Sequence, residues 1–275
     1  GVETFHRGDE RLGAAGVPAD RVAAQAFSSF GAATVVTVAR ATEALEDYDA
    51  APLQQETLRS LAYLRNVERA TMSHLRGLLI TPTHKDAYVT AFLTTWAYEK
   101  YWIADALDGI IAWHEANGAP PAPAALTLAP RERSVREAIY GNIIGVDLIP
   151  THLAMSVVDE WITQSAYERI MELDPNGRLA DTLGRLLEIK RRQLRFFEQT
   201  SRERLAESPR AQRLAKKHLR RIDWPIGSHA ERSDETRRFF ERLFSPVPLL
   251  VAEIDGRVDT LPGLAGLRLL ERSLP

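Results

Sequence analysis

Four charged residues are set apart by their spacing. Glu68 lies within an apolar helical pattern, in Asn66-Val67-Glu68-Arg69-Ala70, and Glu99 follows 31 residues later. Glu160 opens a second pair, and Lys190 follows it 30 residues on. Carboxylates gathered inside a protein either hold hard divalent cations or pair with an organic cation. Three residues beyond Glu99 stands Trp102, and three beyond Lys190 stands Gln193; i and i+3 share a helical face. Neither place carries an imidazole. A Lys190 ammonium among carboxylates would repel a dication and pair instead with Glu68, Glu99 or Glu160. Apolar neighbours at helical spacing argue that these carboxylates face inward. Thr95, Trp96, Trp102 and Ile103 flank Glu99, and Val157, Ile162, Thr163 and Tyr167 flank Glu160. Exposed helical glutamates are the ordinary alternative.

The elements that would position these residues are helices. No alternating strand of five or more residues is present. The pattern predicts a first helix from Ala19 to about Glu46, a second from about Leu53 to Leu79 and a third from Thr83 to about Glu115. Gly118 to Pro130 carries four prolines and reads as an extended crossover. A fourth helix is expected from about Glu132 to Leu173, kinked or broken at Pro150. The Asp174-Pro175-Asn176-Gly177 turn precedes a fifth, from Arg178 to about Glu207. Shorter helices are expected over 210–223 and 234–244. The leucine-rich tail, 246–275, is expected to pack on the bundle.

Two short-linked helix pairs joined by a long crossover make a ferritin-like topology. With Glu68, Glu99, Glu160 and the Lys190 to Phe197 segment in register, the chain resembles the ferritin-like superfamily of di-iron carboxylate proteins. Glu160 with Tyr167 seven residues on looks like that family's third core helix, and Leu194-Arg195-Phe196-Phe197 like the end of its Glu-x-x-His helix. The resemblance covers about 53–207. It implies an all-α fold: a ferritin-like four-helix core, an extra N-terminal helix and C-terminal helical additions over 209–275, in a single domain spanning 1–275. The chain departs from the family at Trp102 and Gln193, where the imidazoles should stand, and at Lys190, where a carboxylate should. The resemblance therefore implies the fold without the di-iron activity.

The other signals are bounded. The seven histidines form no His-x-x-x-His pair, and the one Glu-x-x-His, Glu3 to His6, lies in the polar N-terminal stretch outside the bundle pattern; His152, just past Pro150, reads as a ligand or proton carrier at the bundle end, or as a core histidine. Trp102, Tyr98, Tyr167, Gln193 and His152 are the candidate substrate-binding residues, with packed core as the ordinary role of the aromatics. From Lys190 to Arg221 there are twelve basic and three acidic residues, read as a solvated face. A net charge of −2 gives no reason to expect a nucleic-acid partner. The absence of cysteine removes thiol catalysis, disulfides and cysteine-ligated iron–sulfur clusters, and it fits a cytoplasmic location. Gly1 to Glu10 is polar and charged, unlike a signal peptide. The longest uncharged run, Val22 to Ala39, is too polar for a membrane span. No Gly-rich phosphate loop or nucleophile elbow appears.

The resulting expectation is a ferritin-like protein that has lost its dinuclear site and binds or transforms a small molecule in the bundle core without metal. Glu68, Glu99, Glu160 and Lys190 are its catalytic candidates, no cofactor is needed, and the apolar ends suit a homodimer. Two other readings stay open. One is an oxidoreductase, descended from di-iron oxygenases, holding iron or manganese on Glu68, Glu99 and Glu160. The other is a structural or interaction protein with a filled core.

Overall fold

In a computed structural model, described over residues 32–39, 45, 48, 51–124 and 145–275, every regular element among the described residues is helical. Four long helices form the body of the described residues: α1 (Gln55–Leu79), α2 (Ala87–Ala116), α3 (Leu148–Leu173) and α4 (Gly177–Glu207). Four shorter ones follow: α5 (Pro209–Leu219), α6 (Ser233–Leu243), α7 (Pro248–Asp259) and α8 (Leu269–Ser273). Helix α1 packs along α2, and α3 along α4, as two hairpins whose inner faces meet. Among the described residues no helix is long and apolar enough to cross a membrane.

Side-chain caps set the helix starts. The Asp86 carboxylate accepts the Val89 N–H at 3.0 Å and starts α2. Asn176 accepts from Leu179 N at 2.9 Å and starts α4, while Ser208 accepts from Ala211 N at 3.1 Å and starts α5. Each bond satisfies a first-turn donor that the helix leaves without a partner. Helix α2 ends at Asn117-Gly118, and the positive φ of Gly118, 96°, suits the residue beyond a helix end.

Three sequence expectations are corrected. The third helix does not begin at Thr83: Pro82–Lys85 forms a 3₁₀ turn, and Asp86 caps the helix proper. Pro150 does not interrupt α3. It lies in the first turn of α3, where its missing N–H costs nothing, so the proline helps begin the helix. The basic helix stops at Leu219, not Asp223. Of the expected N-terminal helix, residues 32–39 are α-helical and Leu45 is in a 3₁₀ turn; 19–31, 40–44 and 46 lie outside the described residues, as do 125–130 of the crossover and 132–144.

The core explains why α3 is central. It is buried on nearly every side, because it packs against α1, α4, α5, α6 and α7. Leu61, Leu64 and Leu78 of α1, Ile103 and Leu107 of α2, Val157 and Ile162 of α3, and Leu186 and Phe197 of α4 fill the space between the hairpins. The tail packs on this body through Leu261, Leu264, Leu267 and Leu270. There the Asp255 carboxylate of α7 accepts the Leu270 and Glu271 N–H groups at 2.9 and 3.0 Å, capping α8 from a neighbouring helix.

Candidate functional site

Each long helix sends one charged side chain to the same point. Glu68 comes from α1, Lys100 from α2, Glu160 from α3 and Lys190 from α4, and all four side chains are at most 1 % exposed. Each sits on its helix's apolar stripe. Leu61 and Leu64 precede Glu68 by seven and four residues, Trp96 and Ile103 flank Lys100, Val157 precedes Glu160 and Leu186 precedes Lys190. The four close into a ring of alternating charge. Lys100 Nζ lies 2.6 Å from Glu68 Oε2 and 2.8 Å from Glu160 Oε1. Lys190 Nζ lies 2.9 Å from Glu68 Oε1 and 3.0 Å from Glu160 Oε2.

Neutral side chains donate to the same carboxylates. Tyr167 donates its phenol to Glu68 Oε1 at 3.1 Å, and Trp96 Nε1 donates to Glu160 Oε1 at 3.4 Å. Gln164 Nε2 donates to Glu160 Oε2 at 3.3 Å and to the Lys190 carbonyl at 3.0 Å. The ammonium groups also lie against rings: Lys100 is 5.7 Å from the Trp96 centroid and Lys190 5.6 Å from that of Tyr167. Two positive and two negative charges cancel within the ring, the condition under which buried ions are tolerated.

The electrostatics follow from burial and pairing. Burial pushes the Glu160 carboxyl up, but Lys100 and Lys190 outweigh it and hold the group down at about 2. Burial works against the Lys100 ammonium, yet Glu160 and Glu68 keep it above the ordinary lysine range. Tyr167 is held well above a normal phenol by burial and by the Glu68 carboxylate. Next to the ring, burial raises Asp159 to about 7 against the pull of Lys100, with Glu160 adding to the rise. Asp159 accepts the Ile226 N–H at 2.7 Å and so ties the loop after α5 to α3.

The sequence candidates separate into those at the ring and those away from it. Glu68, Glu160, Lys190 and Tyr167 are at the ring. Glu99 is buried but faces another way. It accepts from Thr34 Oγ1 at 2.7 Å and from Gln193 Nε2 at 2.8 Å, and it pairs with Arg192. Gln193 therefore serves Glu99 rather than the ring. Its Oε1, like the half-buried Trp102 Nε1, is buried without a hydrogen-bond partner among the described residues. Tyr98 is exposed and touches Trp102 edge-on at 6.2 Å. His152 Nδ1 lies 2.9 Å from Thr83 Oγ1 at the end of the α1–α2 hairpin, eight residues before Glu160.

Lys100 is the residue that sequence reasoning missed. Its signal was available: Trp96, Lys100, Ile103 and Leu107 recur at helical spacing, so a lysine stands on the apolar stripe. Glu99, one residue earlier, is turned about 100° around the axis. That rotation also bears on the expected three-carboxylate cation site. The three carboxylates expected to share a cation do not converge, and both oxygens of Glu68 and of Glu160 meet ammonium groups. Among the described residues no group of three or more His, Asp or Glu is placed to hold a metal ion. Glu68, Glu99 and Glu160, as placed, do not share a site for an iron or manganese ion.

No family model and no solved structure matches the chain. A stretch of 45 residues, 16% of this chain, is 66% identical to Iron-sulfur cluster assembly SufBD family proteins of Mycobacterium bovis and Mycobacterium tuberculosis. A stretch of 39 residues is 69% identical to a SufBD family protein of Mycobacterium leprae. These stretches span only 11% and 10% of those proteins' own length.

Proposed function

We propose that this chain is a ferritin-like protein that works without metal, with Lys100 and Lys190 standing where a dinuclear centre would sit. The observation that carries the reading is the ring itself: four charged side chains, one from each long helix, meet at one buried point. In a di-metal carboxylate centre, carboxylates bridge two cations across a bundle. Here Glu68 and Glu160 each bridge two ammonium cations with contacts of 2.6–3.0 Å. An ammonium has one charge and three donors and undergoes no redox change. The ring therefore keeps the bridging pattern while removing oxygen activation.

On this reading the ring sets the register between the two hairpins. Any slip or rotation of one helix leaves a buried charge unpaired, which is a strong penalty on alternative packings. The protein's activity is then binding of a small molecule by the helical scaffold. The SufBD matches cover 45 residues of this chain and do not enter this reading.

The test is metal content after incubation with Fe(II) and Mn(II) and gel filtration. The expected result is below ~0.1 metal per chain, unchanged in Glu160→Ala. One or two metals per chain, lost in Glu160→Ala, would overturn the reading.

A further inference from the structure

An open cleft of about 520 Å³ lies away from the ring, between the end of α5, the 222–231 loop, α6 and α8. Its walls are held by the core. Gly227 has φ 103° and approaches α1 so closely that a Cβ there would lie 2.6 Å from Ala70 Cβ. Beside it Ile226 N is bonded to Asp159, and α8 is capped by Asp255. The cleft is thus preformed, as ligand sites usually are.

Its lining is unevenly satisfied. Leu219, Ile222, Phe240 and Leu269 supply an apolar wall. Trp224 and Ser228 are 3% and 5% exposed, and Trp224 Nε1 and Ser228 Oγ are buried without a hydrogen-bond partner among the described residues. Polar atoms left so are rare in folded proteins and call for an explanation. Arg220 and Arg272 also line the cleft, both exposed, and neither forms an ion pair among the described residues. Two carboxylates oppose them. Asp223 is exposed; Glu231 is half-buried, its Oε1 is without a hydrogen-bond partner among the described residues, and burial pushes its carboxyl up.

We infer that this cleft binds a small organic anion, with its carboxylate or phosphate head on Arg220 and Arg272 and its apolar body against Phe240 and Leu269. Guanidinium forks suit planar carboxylates and phosphates alike. The inference is independent of the ring and stands whether or not the metal-free reading does.

Calorimetric titration of the full chain with 3-phenylpropionate, phenyl phosphate and 3-phenylpropan-1-amine tests it. Expected is 1:1 binding of at least one anion, with the amine weaker by about tenfold or more. Whichever anion binds tighter identifies the head group. The double variant Arg220→Gln, Arg272→Gln should lose about tenfold in anion affinity at unchanged Tm. Ser233→Trp, which places a bulky ring on the exposed lining, should block binding. The inference is overturned by equal binding of amine and anions, by full affinity in either variant, or by no heat from either anion up to about 10 mM.

Discussion

Replacing Lys190 by methionine tests the ring most directly. The change keeps length and apolar bulk but removes one charge, leaving Lys100 to face both Glu68 and Glu160. Lys190 makes two contacts near 3 Å, at 2.9 and 3.0 Å. At an effective dielectric of about 20 each is worth roughly 5.5 kcal/mol of Coulomb attraction, about 11 kcal/mol in sum. Against this, the variant no longer buries an ammonium, which relieves several kcal/mol of desolvation. The net loss expected is about 3–5 kcal/mol, the range for breaking a buried pair from one side. The assay is urea unfolding at pH 7, followed by far-ultraviolet circular dichroism. The double variant Lys190→Met, Glu160→Gln makes the buried cluster neutral again, with Lys100 facing Glu68. It should be more stable than Lys190→Met alone, giving a coupling energy of roughly 1–3 kcal/mol. A single-variant loss below about 1 kcal/mol, or simple additivity in the cycle, would refute the claim that these charges hold one another.

Other outcomes follow from the same geometry. Glu160 has its folded-state value depressed to about 2 from 4.5, so its contribution is complete above 4.5 and is lost as pH falls through 2. Acid titration of stability should show this loss between those values in wild type and not in Glu160→Gln. Asp159 has the opposite sign: its folded value, raised to about 7 from 3.8, makes it costly as pH rises from 3.8 through 7. Asp159→Asn keeps an acceptor for Ile226 N and should be more stable than wild type at pH 8 by ~1–3 kcal/mol, with the advantage gone near pH 4. Glu99→Gln should cost about 1 kcal/mol, less than Glu68→Gln, because its partner Arg192 is a quarter exposed and Thr34 and Gln193 can bond an amide. Equal losses at the two positions would place Glu99 in the ring after all.

The all-helical character was legible in the sequence. Apolar residues at 3.6-residue spacing, Pro82 and Gly118 at helix ends, and Asn176 before a leucine-rich stretch all act through nearest neighbours along the chain. Those local signals agree with α1, α2 and α4 to within a few residues. Pro150 was misread because proline marks a helix start as readily as a break, and only the position of the first turn separates the two. Glu68, Glu160 and Lys190 could be picked out as inward-facing because each is a charge set on an apolar stripe. The choice between Glu99 and Lys100 could not be made that way. Both are buried, since α2 is covered by α1 and α3 on the side of Lys100 and by α4 and the 32–39 helix that carries Thr34 on the side of Glu99. Each of these residues has apolar neighbours at helical spacing. Sequence alone determined which helices form and that charges enter their apolar faces. Tertiary structure alone decided which charges meet, because the rotation of α2 against three other helices is set by packing between segments distant in the chain, and 100° of rotation exchanges a carboxylate for an ammonium.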